Sequence, residues 1–301
     1  MLFSFQHGAA AVGAALCWSI TPLISAAPSG HLGALAFNRL RQIAVTLMLL
    51  ALIWVSGLWQ NLDPSQLFRL LASGAIGIFA GDTLLFLALN RLGPRRSSIL
   101  FALNAPITAM LGWLALGETL SLSATAGIGL TFAGVLLAIL YGKRPEQSHH
   151  LEAIKGSLWI GVALGLGAAC GQAIGSIIAR PVMASGVDPL LASMFRVGVA
   201  ATCLTLLMAL PYDAVKPQNP LNGRIAFLTI LSGLLAMGVG MTLLLFALSG
   251  GKAGIISTLS ATSPVLILPL LWLRTKERPA AAAWAGAGLA VVGMALIFLG
   301  R

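Results

Sequence analysis

Long apolar stretches alternate with short polar connections along the whole chain. A helix needs about 20 mainly apolar residues to cross the hydrocarbon core of a bilayer. Ten stretches approach that length, and the connections hold turn-forming residues such as Ala27-Pro28-Ser29-Gly30. The pattern predicts an all-α integral membrane protein with helices near residues 7–27, 33–55, 66–89, 97–115, 121–141, 157–180, 188–211, 225–249, 253–273 and 279–300.

One sequence pattern occurs twice, and this repeat organises the chain. Gly81-Asp82-Thr83 in the first half is matched by Gly240-Met241-Thr242 in the second. Seven identical pairs share a spacing of 159 residues, a register that chance rarely maintains. We infer an internal duplication. The pairs are Gly81 and Gly240, Thr83 and Thr242, Ala88 and Ala247, Glu118 and Glu277, Gly127 and Gly286, Gly129 and Gly288, and Gly134 and Gly293.

Each repeat contains five predicted helices, and an odd number forces the second repeat to enter the membrane in the opposite orientation. We therefore expect ten transmembrane helices, arranged as two inverted five-helix repeats around a central cavity. The binding site of such a fold is expected near the membrane midplane, where the repeats meet. The repeats are predicted at residues 1–142 and 157–301, joined by the polar linker 143–156.

The composition agrees with a membrane protein, because 58% of residues are hydrophobic and only 9% are charged. Soluble domains contain about 25% charged residues. A net charge of +10 would suit a nucleic-acid-binding protein, but the cations lie in short loops and form no basic face. Thirteen of the 18 cations lie near the odd-numbered loops, so the positive-inside rule places those loops in the cytoplasm and both termini outside.

The sequence carries no motif for catalysis, for a metal site or for a cofactor. The three cysteines stand far apart in apolar runs, and His149-His150 lies in the predicted linker. Gly165-Leu166-Gly167 begins like a dinucleotide-binding loop but lacks the third glycine, so these glycines are expected to serve helix packing. We expect neither an enzyme nor a bound cofactor or metal.

The arrangement resembles a known family. A proline lies within the predicted fourth and ninth helices (Pro106 and Pro264), an acidic residue follows each of them (Glu118 and Glu277), and a glycine-spaced helix comes next. With ten helices in two inverted halves, the chain is similar to the drug/metabolite transporter superfamily. More narrowly, it resembles the ten-helix EamA-type exporters, and among them most the bacterial amino-acid exporters of the YddG type.

The resemblance implies a secondary transporter in the cytoplasmic (inner) membrane of a bacterium, working by alternating access. Its expected partners are membrane lipid and a small-molecule substrate, namely amino acids, including aromatic and other hydrophobic ones. Three alternatives stay open: a drug or nucleotide-sugar carrier, an intramembrane enzyme acting on lipid-linked substrates, and a scaffold without transport. Four-helix relatives couple transport to protons through a glutamate in the first helix, which here has Cys17-Trp18-Ser19 instead.

Asp82 is the carboxylate predicted deepest within a helix, which makes it a candidate functional residue. Counted from the predicted helix ends at about 1.5 Å per residue, Asp82 lies roughly 10 Å and Arg39 about 9 Å below the membrane surface that carries the odd-numbered loops. The two are candidates for a buried ion pair or for ion coupling. Arg39 recurs as Arg196 but Asp82 recurs as Met241, so Arg196 is a candidate for binding a substrate carboxylate. The alternative is that Arg196 snorkels towards the near surface or donates hydrogen bonds to backbone carbonyls.

Further side chains in the predicted helices are candidates for lining the cavity. Trp18 is expected either to stack on a ligand or to pack in the helix interface. Glu118 and Glu277, at helix ends, are expected to cap or pack helices. The remaining substrate-binding candidates, for which local hydrogen bonding beside a proline is the alternative, are Asn104, Gln172, Ser260 and Thr262.

Overall fold

The computed structural model describes residues 2–141, 157–209, 216–263, 265–266, 269 and 280–299, and the regular structure of these residues is entirely helical. The predicted all-α class is confirmed, whereas the predicted linker 143–156, Pro264 and Glu277 lie outside the described residues. The helices are α1 (Leu2–Leu32), α2 (Ala34–Ser56), α3 (Pro64–Gly74), α4 (Gly81–Ala102), α5 (Asn104–Leu116), α6 (Leu122–Tyr141), α7 (Leu158–Ala184), α8 (Pro189–Leu206), α9 (Gly223–Gly233), α10 (Met241–Gly250), α11 (Ala253–Ser260) and α12 (Ala281–Leu299), with two π-helical segments, π1 (Ala75–Ala80) and π2 (Leu234–Gly240), and a short 3-10 turn, Leu207–Ala209.

Several of these helices are long and apolar enough to cross a membrane. Five qualify by length and hydropathy, and three shorter apolar helices accompany them within the described residues. Exposed tryptophans mark the helix ends, as expected where a helix leaves the hydrocarbon core. The chain is therefore a multi-pass membrane protein, and the number ten stays a prediction. The exposed tryptophans are Trp54, Trp59, Trp113, Trp159 and Trp284.

The predicted third and eighth spans each contain a π-helical segment. π1 joins α3 to α4, and π2 joins α9 to α10. The Gly81 N–H donates to the Ile76 carbonyl and the Met241 N–H to the Ala236 carbonyl, five residues back in each case. The two segments occupy equivalent positions at the 159-residue spacing, so the duplication extends to this irregular backbone.

The break between α4 and α5 lies later in the chain than predicted. A loop was expected between residues 89 and 97, but α4 continues to Ala102 and only Leu103 separates it from α5. Pro106 sits in the first turn of α5, where no intrahelical N–H is needed. Because Pro106 cannot donate to the Ala102 carbonyl, the helix ends there, and Pro106 is not the mid-helix proline that the sequence suggested.

The first helix of each repeat packs against the other repeat. α7 packs against α3, π1, α4 and α5, and together with α7 these elements form what we name the first bundle; α7 also contacts α10. α1 contacts α9, π2, α10 and α11, which together form the second bundle. α2 packs against α8 between them. The two bundles are thus built by exchange of one helix between the repeats.

α6 and α12 form a glycine seam with an internal two-fold relation. A Cβ on Gly127 would lie 2.7 Å from the Gly293 carbonyl, and one on Gly134 would lie 2.5 Å from the Gly286 carbonyl, so these backbones touch. The later residue on α6 contacts the earlier residue on α12, so the two helices are antiparallel. In the duplication, Gly127 is equivalent to Gly286 and Gly134 is equivalent to Gly293. The contact of Gly127 with Gly293 is therefore equivalent to the contact of Gly286 with Gly134, as a two-fold axis requires.

Candidate functional site

Arg41 on α2 and Asp82 on α4 form an ion pair inside the protein, and Arg196 on α8 is buried close enough to interact electrostatically with Asp82; we name these three residues the charged cluster. Arg41 Nη2 lies 3.3 Å from Asp82 Oδ2, with side chains 4% and 14% exposed. Arg196 is fully buried, and the charges of both arginines act on Asp82. This cluster carries a net charge of +1, which is costly inside a membrane protein unless an anionic group compensates for it.

Arg41 has partners at one terminal nitrogen and at its flat faces, whereas its Nε is buried without a hydrogen-bond partner among the described residues. Its Nη2 donates to Asn38 Oδ1 at 3.0 Å as well as to Asp82, and its guanidinium lies 5.5 Å from the ring centres of Phe37 and Phe86. Gln42 Nε2 donates to Asp82 Oδ2 at 3.5 Å. The Arg41–Asp82 pair is therefore a fixed, internally neutral unit, with cation–π contacts adding to the ion pair.

Arg196 occupies the corresponding position in the second repeat but lacks the acid. Its Nη1 lies 3.1 Å from the sulfur of Met241, the residue equivalent to Asp82. Its Nε and Nη2 are buried without a hydrogen-bond partner among the described residues. These two nitrogens form one edge of the guanidinium, and that edge is the fork that binds a carboxylate through two parallel hydrogen bonds.

The packing shows that Arg41, and not Arg39, is the counterpart of Arg196. Arg41 follows the cap of α2 (Gly33) by eight residues, and Arg196 follows the cap of α8 (Asp188) by eight. The predicted Arg39–Asp82 pair is not formed; Arg39 Nη1 is buried without a partner among the described residues. The packing agrees with this pairing. Arg41 packs against Gly233, and Arg196 packs against Gly74, which is the residue equivalent to Gly233 in the first repeat.

Two predicted site residues, Trp18 and Gln172, flank the ends of the π segments. A Cβ on Gly81 would lie 3.6 Å from the backbone nitrogen of Gln172, and a Cβ on Gly240 would lie 2.9 Å from the indole Nε1 of Trp18. Trp18 Nε1 also donates to the Ala236 carbonyl at 2.9 Å, so the indole anchors α1 to π2. This hydrogen bond gives Trp18 a packing role; stacking on a ligand stays a prediction.

The remaining predicted site residues hydrogen-bond to nearby backbone. Asn104 Nδ2 donates to the Phe101 carbonyl at 2.6 Å. Ser260 and Thr262 donate to the carbonyls of Ser257 and Leu259, respectively. All three side chains are buried and close the helix ends around them. Their predicted role in lining a cavity is not tested by these contacts.

Arg196 is fully buried, whereas the Asp82 side chain stays 14% exposed. Two grooves, of about 270 and 280 Å³, lie on the outer faces of the described part of the protein, and neither includes Arg41, Asp82 or Arg196. One runs between α2 and α8, and the other lies between α3, α5 and α7. The predicted central cavity therefore stays a prediction.

The spacing of the polar residues in α2 indicates the residues that surround Asp82, although the sequence analysis selected only Arg39 there. Asn38, Arg41 and Gln42 are spaced by three and four residues, which places them on one face of α2. A polar face on a membrane-spanning helix points towards the protein interior. The prediction selected Arg39 because the spacing between the two repeats is 155 residues at α2 and α8 but 159 residues in the later helices.

Comparisons with known proteins agree with this architecture. One solved crystal structure shares the fold with a TM-score of 0.79 at 19% identity, covering 97% of this chain and 96% of that one. A transporter of uncharacterized function from Bacillus subtilis (strain 168), YyaM, is 26% identical over 196 residues, covering 64% of this chain. The match spans 62% of that relative's length.

The duplication is also visible in the family comparison. The model of the EamA-like transporter family matches twice, over residues 8–140 and residues 159–299. Each match contains one π segment and one arginine of the buried cluster, and together they cover most of the chain. On this evidence the chain belongs to the EamA-like transporter family.

Proposed function

We propose that this transporter exports amino acids across the bacterial cytoplasmic membrane, and that Arg196 binds the substrate carboxylate. The observation that carries the proposal is the free Nε–Nη2 edge of a fully buried arginine. Each buried donor left without a partner costs about 1–3 kcal/mol. A bound carboxylate would supply both missing acceptors and neutralise the net charge of the cluster.

The difference between the two repeats supports this assignment. In the first repeat Asp82 provides the carboxylate for Arg41, at 3.3 Å. In the second repeat Met241 occupies the same position and offers only a thioether sulfur, a weak acceptor. The protein thus keeps both arginines and only one of the two carboxylates, and the substrate takes the place of the missing one.

Alternating access provides the route to this buried site. The two bundles contain the helices that enclose Arg196, and their separation would expose the guanidinium edge next to Gly77 of π1, where a Cβ would lie 3.3 Å from Nη2. The absence of a side chain at Gly77 leaves the guanidinium uncrowded on that side. Substrate would enter when the bundles part at one end and leave when they part at the other.

Uptake of radiolabelled amino acids into proteoliposomes tests the proposal. We expect Arg196→Gln to reduce uptake at least tenfold, the usual cost of losing a charged hydrogen-bond pair. Arg196→Lys, which keeps the charge but not the fork, should retain part of the activity. Arg69→Gln is the matched control, because Arg69 is exposed and outside the cluster.

A competition panel separates amino acids from other substrates. Amino acids should inhibit uptake, and the amines formed by removing their carboxylates should not. Inhibition by the amines alone would indicate a carrier for cationic drugs and would contradict the role of Arg196. Inhibition by nucleotide sugars alone would assign the protein to that class of carrier. Repeating the assay with and without a pH gradient determines whether transport is coupled to protons or runs down the substrate gradient.

A further inference from the structure

The two bundles are joined at one end of the molecule by contacts between the α5–α6 and α10–α11 connections. Glu118 Oε2 accepts a hydrogen bond from the Ala253 N–H at 2.7 Å. Ala253 is the first residue of α11, so a carboxylate of the first bundle caps a helix of the second. Lys252 Nζ donates to the Thr119 carbonyl beside it. A carboxylate at a helix N-terminus is favoured by both the hydrogen bond and the helix dipole.

Arg180 holds the Glu118 carboxylate in place from within the first bundle. Arg180 Nε on α7 lies 3.3 Å from Glu118 Oε1, so the two oxygens of one carboxylate are divided between Arg180 and Ala253. A Cβ on Gly112 would lie 3.0 Å from Glu118 Oε2, and the glycine leaves room for the carboxylate. The side chain is thus oriented across the boundary between the bundles by its own bundle.

The backbones of α5 and α11 touch at Gly254, the residue next to the capped Ala253. A Cβ on Gly254 would lie 2.6 Å from the Ala109 Cα, closer than side chains approach in proteins. Close contact of the bundles at this end therefore depends on a glycine as well as on the Glu118 carboxylate. Both features join the α5 side of the first bundle to α11 of the second.

We propose that Glu118 is the latch residue that closes the transport pathway at this end. It caps α11 while the bundles are together, and it releases the Ala253 N–H each time they part here. The inference rests on alternating access in the proposed function but not on the identity of the substrate. Arg180 is a positioning residue, because it acts only through the Glu118 carboxylate.

Distances between spin labels test the latch without any substrate. Leu122→Cys and Ser249→Cys, in a chain whose three native cysteines are replaced by alanine, place one label on each side of the boundary. Leu122 is 87% exposed, so the label is tolerated. We expect one short distance in the starting protein. Glu118→Gln should raise the ratio of the long to the short distance about tenfold, because a charged cap becomes a neutral one.

Asp188→Asn is the matched control. Asp188 also caps a helix through backbone N–H groups, at Leu190 and Leu191, but it caps its own helix and does not cross between the bundles. This variant should leave the distance distribution unchanged. Gly254→Ala is a second test that leaves the carboxylate intact, and it should lengthen the distance by separating α5 from α11.

The outcomes separate the latch from the proposed function. An unchanged distance distribution in both Glu118→Gln and Gly254→Ala would overturn the latch, whatever the transport assays show. An equal shift in Asp188→Asn would also overturn it, since the effect would then be general destabilisation. Failure of Arg196→Gln to reduce amino-acid uptake would reject the substrate proposal and leave the latch standing.

Discussion

Arg41 and Arg196 occupy equivalent positions in the two repeats but have different surroundings. Arg41 is neutralised by Asp82 and enclosed by two phenyl rings. Arg196 meets a methionine sulfur and keeps two nitrogens without partners among the described residues. A buried ion pair contributes little net stability, whereas a buried unpaired charge is expensive. The unpaired member is therefore the one to which we assign substrate binding.

Restoring the missing acid should block the substrate. Met241→Asp would place a carboxylate beside Arg196, as Asp82 stands beside Arg41, and would compete with the substrate carboxylate. We expect amino-acid uptake into proteoliposomes to fall at least tenfold, with the protein still folded. Met241→Leu, which keeps the volume and adds no charge, should transport normally. Normal uptake by Met241→Asp would argue against carboxylate binding at Arg196.

Removing the existing acid should destabilise the protein. Asp82→Asn leaves Arg41 buried without its counter-charge, and breaking a buried pair costs about 3–5 kcal/mol. The double variant with Arg41→Met should recover much of that loss, because neither charge is then left alone. Unfolding of the purified protein in detergent measures both effects. A stable Asp82→Asn protein that has lost only its response to a pH gradient would instead support ion coupling by Asp82.

The sequence identified Asp82 and Arg196 but paired Asp82 with the wrong arginine. α2 and α8 correspond at a spacing of 155 residues, as their caps Gly33 and Asp188 show, whereas the later helices correspond at 159. The difference arises from unequal connections between the helices, and a connection carries no helical periodicity to reveal it. Pairing Arg39 with Arg196 assumes a spacing of 157 residues, which matches neither value. The helix caps and the packing of Arg41 on Gly233 and of Arg196 on Gly74 give the correct spacing of 155.

Among the elements, the π segments connect the backbone to the charged cluster. A π segment adds a residue to a helical turn, which changes the direction of every side chain after it, and such segments occur frequently at functional sites. Asp82 lies two residues after the end of π1, and Met241 directly follows π2. No local sequence signal distinguishes these segments from ordinary α-helix, so they could not be predicted, although the repeated glycines at their ends could.

Close packing of α7 on π1 should be sensitive to a single methyl group. A Cβ on Gly175 would lie 2.8 Å from the Gly77 Cα, and the Ser73 hydroxyl donates to the Gly175 carbonyl at 2.6 Å. We expect Gly175→Ala to lower the stability in detergent by about 1–3 kcal/mol, the usual cost of overpacking. Gly129→Ala on α6 is the control, since no atom lies within 4 Å of the new Cβ. Equal stability of the two variants would contradict this packing.

At the scale of the whole molecule, the sequence predicted the membrane class and the duplication because both are written in composition and periodicity. It could not predict that α1 and α7 exchange places between the repeats, since this depends on contacts between residues far apart in the chain. The role of Glu118 follows from that exchange. The expectation of a cap was reasonable, but the capped helix belongs to the other repeat and the other bundle.

The orientation in the membrane is a prediction that labelling can check. The positive-inside rule places the α5–α6 connection outside and the α8–α9 connection in the cytoplasm. Leu122→Cys and Leu221→Cys report on these two sides, being 87% and 52% exposed, in a chain without native cysteines. An impermeant maleimide applied to intact cells should label only the first. Labelling of only the second would reverse this orientation and place the end of the molecule that holds Glu118 in the cytoplasm.

The glycine seam between α6 and α12 has a consequence for the origin of the molecule. Since each glycine there touches the counterpart of the other, the same contact would form between two separate, identical five-helix chains inserted in opposite senses. The seam thus has the geometry expected of two identical half-length chains packed antiparallel. Joining two such halves in one chain lets them differ at equivalent positions, as Asp82 and Met241 do.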